Sequence, residues 1–257
     1  MHMMKNILVP GILMICIVSG TAIPVFGASE KVTVVTDNGY PPYSFGITER
    51  AEGLYPMLIK TIFARMGITV KIIALPWEKA IKEGKEGNAA VGGIYINSER
   101  LKIFDYSEPI FEEKLAVYVK KGKTFDFNRL SDLKGKIIGL NSGWSYGEAF
   151  DTARIKYHFN VVESETNEQS FHKLARGSID CLIADQVAAS QIIRQENLSD
   201  QVERLDKLAA VDKAYVVFVK SLKKQHILEK FNQALEEMKK DGSYRKIIQD
   251  FVTSSSE

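Results

Sequence analysis

The sequence predicts an α/β protein with two lobes joined by two crossover strands. Three observations lead to this prediction. Strand-like and helix-like periodicities alternate along the chain, the alternation occurs twice, and a short β-branched run flanks the second occurrence on each side. Strands that alternate with helices favour a parallel sheet covered by helices. Each half of the pattern therefore predicts one α/β lobe.

The first α/β unit begins with the β-branched run KVTVVT, residues 31–36, which the turn residues Asp37-Asn38-Gly39 bring to an end. Apolar residues at helical spacing and a following Gly67 then predict a helix over 54–65. The same criteria predict the rest of the unit as a strand over 69–74, a helix over 77–85 and a strand over 89–94.

The second unit repeats the alternation between two β-branched runs, 115–119 and 215–219. Its predicted strands cover 136–140, 161–162 and 181–184, and its predicted helices cover 146–155, 167–176 and 185–195. An amphipathic tail after residue 228 would complete the first lobe. We predict that lobe 1 comprises 28–117 plus 216–257 and that lobe 2 comprises 118–215. The alternative is two sequential domains with a single linker.

Residues 1–27 have the pattern of a secretory signal peptide, with Lys5 before an apolar run and small or aliphatic residues up to Gly27. We expect cleavage after Gly27 and a periplasmic or extracellular location. A membrane anchor is the alternative, although Pro, Gly and Ser interrupt the run. Lipidation at Cys16 is disfavoured because Ile15 is bulky where a lipobox needs a small residue.

Composition and motifs exclude several classes of function. The chain has 257 residues, 45% of them hydrophobic, with 34 Lys+Arg against 32 Asp+Glu, so it has no broad basic field and we expect no nucleic-acid partner. Nucleotide-binding, metal-ligand and catalytic motifs are absent, so we predict no cofactor, no metal and no catalytic residue. Cys181 lies in an apolar run and is expected to be a buried thiol in a monomeric protein without a disulfide.

Ligands of open α/β sheets bind beyond the carboxyl ends of the strands, so candidate site residues should follow strands. The first strand is followed by Asp37 and by Tyr40, which the adjacent prolines would hold in place, and the second is followed by Trp77. These rings are candidates for the walls of a ligand pocket. The alternative is that they pack a loop or a helix against the core.

Arg100 follows the third strand, in the first turn of a short helix that Ser98 could cap. A cation at the positive end of a helix favours a nearby anion, and a guanidinium offers two parallel donors to a carboxylate. The alternative is a surface ion pair with Glu99 or Asp105.

In the second unit, the turn from Asn141 to Gly147 opens a helix, and its free backbone N–H groups suit an anion. Asp185 ends the third strand of this unit. It is either an ordinary N-cap or a cap whose spare oxygen meets an ammonium group.

Five motifs, in this order along the mature chain, resemble the bacterial extracellular solute-binding proteins of the polar amino-acid importer type. They are Asp37-x-x-Tyr40-x-Pro42-Tyr43, Ser98-Glu99-Arg100 with Phe104-Asp105-Tyr106-Ser107-Glu108-Pro109, Leu133-Lys134-Gly135-Lys136-Ile137-Ile138-Gly139, Asp185-Gln186-Val187-Ala188-Ala189-Ser190 and Lys240-Asp241-Gly242-Ser243-Tyr244. The resemblance implies a periplasmic-binding-protein-like fold that captures a small solute, such as an amino acid, and delivers it to the membrane permease of an ABC importer.

The resemblance also implies roles for individual residues. Arg100 would hold the ligand α-carboxylate, with help from backbone N–H groups near Trp144 and Ser145. Asp185 would receive the α-ammonium group. Tyr40 would cover the ligand side chain, and Asp37 would meet a distal polar group.

Tyr95 and Trp144 depart from the family pattern, which has a small hydroxyl residue and a Gly-Thr turn at these places. Together with Trp77 they would surround the site with three large rings, which predicts a narrow pocket or one that suits a flat or apolar ligand.

Two other classes of function remain open at this point. The same fold resembles exported cyclohexadienyl dehydratases, which need an acid in the cleft. No such acid is specified here, although Glu78 or Glu148 could lie nearby. A receptor ectodomain is the other class, but the chain has no second apolar span, so we expect it to act as a soluble partner.

Overall fold

A computed structural model describes residues 31–256, with side chains up to residue 253. The predicted signal peptide, residues 1–27, lies outside the described residues. Among the residues that are described, none of the helices combines the length and the apolar character needed to cross a bilayer.

The described strands are short except for two. In chain order they are β1 (Lys31–Asp37), β2 (Gly39–Tyr40), β3 (Ser44–Ile47), β4 (Arg50–Glu52), β5 (Thr69–Leu75), β6 (Ala90–Ile94), β7 (Phe104–Tyr106), β8 (Phe111–Lys120), β9 (Ile137–Asn141), β10 (Asn160–Ser164), β11 (Cys181–Asp185) and β12 (Val202–Val219).

The helices lie between these strands and after the last of them. They are α1 (Leu54–Arg65), α2 (Trp77–Lys85), α3 (Ser98–Ile103), α4 (Glu148–Lys156), α5 (Asn167–Arg176), α6 (Gln186–Gln195), α7 (Gln225–Asp241) and α8 (Ser243–Ser256). Short 3₁₀ turns cover Leu130–Leu133 and Lys220–Leu222.

The main sheet has the strand order β10-β9-β11-β8-β12-β6-β1-β5, with β7 paired to β12. At one end β1 pairs in parallel with β5 and β6, and at the other end β9 pairs in parallel with β10 and β11. The antiparallel pair of β8 and β12 joins these two groups. The α/β fold predicted from the alternation is therefore confirmed.

The two long strands explain how one chain builds both halves of the sheet. The strand β8 leads from the first group to the second, and β12 returns over 18 residues, pairing with β8 and then with β6 and β7. The sequence indicated only the apolar ends of these strands, 115–119 and 215–219. The charged middle of β12 has no β-branched run, so its pairing with β8 is what makes it a strand.

The apolar helix faces predicted from periodicity pack against the sheet. In α1 the fully buried side chains include Leu58, Ile62 and Phe63, and the Phe63 ring meets Phe231 of α7 at 5.5 Å between ring centroids. The amphipathic tail thus packs on the helix of the first unit, and the two phenylalanines are 168 residues apart in the chain. Burial of this apolar area is the main force that stabilises the fold.

A small three-stranded sheet of β2, β3 and β4 was not predicted. It covers residues 39–52, where Pro41, Pro42 and Gly46 interrupt the alternation of apolar and polar residues that would indicate strands. The cap of α3 also differs from the prediction. The N-cap is Asn97, whose side-chain oxygen accepts from the backbone N–H of Arg100 at 2.9 Å, while Ser98 is the first helical residue.

Candidate functional site

A cavity lies at the carboxyl ends of β1, β5 and β6, where the turn after β9 reaches across to them. It is small, with a free volume of about 30 Å³, which holds about two water molecules. Its lining residues are Asp37, Tyr40, Ser44, Tyr55, Trp77, Gly92, Gly93, Tyr95, Arg100, Trp144 and Ser145. The structure thus brings together seven of the eight residues that the sequence singled out.

Arg100 is buried at 9% exposure, and the start of α3 directs it into the cavity. Its guanidinium donates to the carbonyl oxygen of Tyr95 at 3.1 Å and, more weakly, to that of Gly143 at 3.4 Å. The same group lies 5.5 Å from the centroid of the Trp77 ring. Burial lowers the pKa of Arg100, because a desolvated cation is less stable. An anion beside the guanidinium would offset this desolvation.

Asp37 ends β1 and places a carboxyl group in the same cavity. Its Oδ1 accepts from the backbone N–H of Gly39 at 2.9 Å, and its side chain is also hydrogen-bonded to the side chain of Trp144. Burial raises the pKa of Asp37 to about 6, although these hydrogen bonds act in the opposite direction. The cavity therefore contains a guanidinium and a weakly acidic carboxyl group.

Trp144 reaches the cavity from the turn after β9 and forms part of its wall. Its ring meets the Tyr40 ring edge to face, with 4.6 Å between centroids. The following residue, Ser145, is buried and donates its hydroxyl hydrogen to Asp151. The backbone N–H of Trp144 donates to the Asn141 carbonyl at 3.3 Å, within the turn itself. Large rings thus leave little free space, in line with the narrow pocket that the sequence predicts.

Polar contacts close the cleft around the cavity. The Ser98 backbone N–H and hydroxyl both donate to Glu148 of α4, at 2.7 and 2.6 Å. On the other side, Ser142 donates to Glu78 at 3.1 Å, and the Trp77 indole donates to the Gly143 carbonyl at 3.0 Å. The two glutamates considered as acids for a dehydratase therefore bridge the two halves of the molecule.

Asp185 is the one predicted site residue that does not line the cavity. It is 3% exposed and caps α6, with its Oδ1 accepting from the backbone N–H groups of Val187 and Ala188 at 2.8 and 3.1 Å. Tyr43 also donates to Oδ1, at 2.7 Å, and Oδ2 accepts from the backbone N–H of Lys114 at 3.1 Å. The oxygen that the sequence left spare thus bonds to β8. The ammonium role of Asp185 stays a prediction.

The sequence reasoning missed Tyr55, Ser44 and Glu113. Tyr55 lies in the first turn of α1, and Ser44 donates to the backbone carbonyl of Asp37 at 2.6 Å. Glu113 is 1% exposed on β8, directly behind the cavity. Alternate residues of a strand face the same side, and Glu113 lies two positions before the buried Leu115. This spacing in β8 was a signal that Glu113 points inward.

Known proteins resemble this chain over nearly all of its described length. The family model of bacterial extracellular solute-binding proteins, family 3, matches residues 32–254. The L-cystine-binding protein TcyJ of Escherichia coli (strain K12) is 24% identical over 254 residues, covering 91% of this chain and 90% of that protein. ABC transporter arginine-binding protein 1 of the same strain is 27% identical over 230 residues, covering 86% and 91%.

Solved structures agree with this result. An ancestral arginine-binding protein bound to arginine superposes with a TM-score of 0.72 at 29% identity, covering 86% of this chain and 97% of that one. A histidine kinase sensor domain with similarity to periplasmic binding proteins superposes with a TM-score of 0.75 at 22% identity, covering 86% and 95%, which shows the shared fold.

The predicted two-lobed, periplasmic-binding-protein-like fold is confirmed by these likenesses. The predicted family resemblance is confirmed as well, because the family model spans almost every residue that the structure describes. This chain belongs to the bacterial extracellular solute-binding proteins, family 3.

Proposed function

We propose that this protein captures an amino acid, or a related small carboxylate, and delivers it to the membrane permease of an ABC importer. The observation that supports this most directly is the buried Arg100 in the cavity, whose guanidinium has only backbone carbonyl acceptors among the hydrogen bonds of the described residues. Relatives named for binding arginine and cystine support the same ligand class. We expect the protein to act as a monomer.

In this proposal the two lobes close over the ligand. Arg100 holds the ligand carboxylate, and the turn at Trp144 and Ser145 closes on it from the second lobe. Tyr40, Trp77 and Tyr95 cover the apolar part. The free volume of about 30 Å³ is smaller than an amino acid, so the lobes open and Trp144 withdraws before the ligand enters.

A distal positive group of the ligand would be received by Asp37, which lines the cavity, while the α-ammonium role predicted for Asp185 would require it to turn from its bonds to Tyr43 and Lys114. The raised pKa of Asp37, about 6, supports its role, because a cation beside the buried carboxylate would stabilise its charged form. For a cationic ligand we then expect affinity to fall as the pH is lowered through 6.

Thermal-shift screening of the common amino acids, followed by calorimetry, tests the function. A ligand that binds the native state raises the melting temperature in proportion to RT ln(1 + [L]/Kd). Arg100→Ala should weaken binding of the best amino acid by about 3 to 5 kcal/mol, because the ligand carboxylate would be buried without its partner. The control is Arg50→Ala, which removes an arginine whose side chain is 81% exposed. Equal affinity of Arg100→Ala and wild type would refute the carboxylate role.

We further propose that lobe 1 comprises 28–117 plus 216–257 and lobe 2 comprises 118–215, and that residues 1–27 direct export. The strand order supports the division, since β1, β5 and β6 lie on one side of the β8–β12 pair and β9, β10 and β11 on the other. Amino-terminal sequencing of the exported protein tests the leader, and a mature chain that still begins at residue 1 would contradict it.

An exported dehydratase is a second candidate, because Asp37 places a carboxyl group with a pKa of about 6 in the cavity, where it could donate a proton. A structure described as an ancestral amino-acid-binding protein and precursor of cyclohexadienyl dehydratase shares the fold, with a TM-score of 0.69 at 22% identity. Incubation with prephenate or arogenate decides between the two: release of an aromatic product that Asp37→Asn abolishes would establish the enzyme.

A further inference from the structure

Glu113 lies behind the cavity and contacts two of the tyrosines that line it. The hydroxyl of Tyr40 meets Oε2 of Glu113, and the hydroxyl of Tyr55 meets Oε1. Tyr40 follows β1 and Tyr55 lies in α1, whereas Glu113 belongs to β8, the strand that leads toward the second lobe. One carboxyl group therefore connects two cavity walls to a crossover strand.

A second carboxyl group extends this network along β8. Asp185 of the second lobe accepts from Tyr43 and from the backbone N–H of Lys114, the residue that follows Glu113. The Tyr43 ring lies between the other two tyrosines, 5.0 Å from Tyr40 and 5.3 Å from Tyr55 between centroids. Three tyrosines and two carboxyl groups thus form one buried layer beneath the cavity.

The burial of an acid at this place needs a physical reason. Burial holds the pKa of Glu113 well above its usual range, and the nearby charges of Asp185 and Asp212 act in the same direction. An apolar side chain would avoid the cost of desolvation and would suit the inward face of β8. What a carboxyl group adds is two directed hydrogen bonds, and both end on rings of the cavity.

We propose that Glu113 is a positioning residue of the ligand site. It anchors the hydroxyl ends of Tyr40 and Tyr55 to β8, so that the Tyr40 ring is held where it meets Trp144 and both rings keep a fixed orientation toward the ligand. The proposal rests on the function proposed above, and it assigns Glu113 no contact with the ligand itself.

The first test follows the position of Trp144 and needs no ligand. The chain contains two tryptophans, so Trp77→Phe leaves Trp144 as the single fluorescent indole. In that background, Glu113→Leu removes both acceptors and should shift the Trp144 emission maximum to longer wavelength and increase quenching by acrylamide. Glu113→Gln, which can bond to both hydroxyls, should restore much of the wild-type spectrum. The matched control is Glu112→Leu, at the adjacent exposed position of the same strand.

The second test measures binding of L-arginine, L-cystine and L-histidine by calorimetry in chains that retain Trp77. Glu113→Leu should weaken the best of them about tenfold or more, because Tyr40 and Tyr55 lose the hydrogen bonds that fix their orientation toward the ligand. Tyr40→Phe and Tyr55→Phe, which remove the same bonds from the other side, should add little to the loss in Glu113→Leu. If Glu113→Leu fails to fold, Tyr40→Phe and Tyr55→Phe test the same hydrogen bonds in its place.

The two proposals can fail separately. If the wild type binds none of the three amino acids, the amino-acid function fails for them, and the Trp144 spectra still decide the role of Glu113. If Glu113→Leu lowers the melting temperature but leaves the Trp144 spectrum and the affinity of a binding amino acid unchanged, Glu113 only stabilises the fold and the positioning role is overturned.

Discussion

Asp37 and Arg100 line the same small cavity, yet each is bonded to other groups. Arg100 donates to two backbone carbonyls, and Asp37 accepts from Gly39 and Trp144. Burial disfavours both charges, raising the pKa of Asp37 and lowering that of Arg100. A ligand with one negative and one positive group would compensate both costs. At the scale of single residues, the two buried charges thus support the amino-acid ligand proposed above.

The raised pKa of Asp37 makes stability depend on pH. Its pKa rises from 3.8 in the unfolded chain to about 6 in the fold, so the folded state binds the proton more tightly. The contribution of protonated Asp37 to the free energy of unfolding is therefore fully present below about pH 4 and is lost as the pH rises through 6. Asp37→Asn should therefore be more stable than wild type at pH 7.5, by up to about 3 kcal/mol, and equal to it at low pH.

Urea denaturation of wild type and Asp37→Asn at pH 4 and pH 7.5 checks this expectation. Asp206→Asn, a change at an exposed aspartate, is the control and should show no such difference. A wild type that gains stability relative to Asp37→Asn as the pH rises would contradict the burial effect.

The amino end of α6 shows how one side chain can organise an element. Asp185 caps the helix with two bonds, and it also ties the helix to Tyr43 and to β8. By comparison, Thr166 caps α5 with a single accepted bond, from Gln169 at 3.4 Å. In the sequence, both Asp185 and Thr166 have the pattern of an ordinary helix N-cap. Only the tertiary structure shows that Asp185 has further hydrogen-bond partners.

Replacing the two caps should therefore have different costs. Asp185→Ala should lower the free energy of unfolding by about 2 to 4 kcal/mol, because it removes a cap and leaves the buried Tyr43 hydroxyl and the partly buried Lys114 N–H without acceptors. Thr166→Ala should cost about 1 kcal/mol, the usual value for a cap alone. Chemical denaturation at neutral pH measures both, and equal losses would mean that the Tyr43 and Lys114 bonds add nothing.

At the scale of the whole molecule, the cleft is closed by a few polar contacts between its two sides. Glu148 accepts two bonds from Ser98, and Glu78 accepts one from Ser142. These contacts are exposed side-chain bonds, whereas the lobes are joined by the chain itself and by the backbone pairing of β8 with β12. Opening therefore breaks weak bonds at the rim and leaves the strand connection intact.

Glu148→Ala should shift the protein toward an open form without changing its fold. Small-angle scattering should give a larger radius of gyration than for wild type, and circular dichroism should be unchanged. Glu229→Ala, at an exposed position of α7, is the control. An unchanged radius of gyration for Glu148→Ala would mean that the rim contacts do not hold the cleft closed.

Local patterns in the sequence were sufficient for much of the fold. Helices such as α1 and α5 begin and end at the predicted residues, because periodicity, caps and glycines act within a few positions of the chain. Strand ends predicted which residues would meet in a cleft, because parallel strands bring their carboxyl ends to one edge. For this reason the sequence placed seven residues near one cleft, and all seven line the cavity, while their roles toward a ligand stay predictions: Asp37, Tyr40, Trp77, Tyr95, Arg100, Trp144 and Ser145.

Only the tertiary structure decided what each side chain contacts. The bond from Tyr43 to Asp185 spans 142 residues and that from Tyr40 to Glu113 spans 73, so no local pattern could specify them. Three other features also depend on residues far apart in the chain. They are the full length of β12, the contact between Trp144 and Asp37, and the hydrogen bonds to both oxygens of Asp185. The sequence determines which elements form, since that depends on near neighbours. Packing determines which buried polar groups become partners, since that depends on residues far apart in the chain.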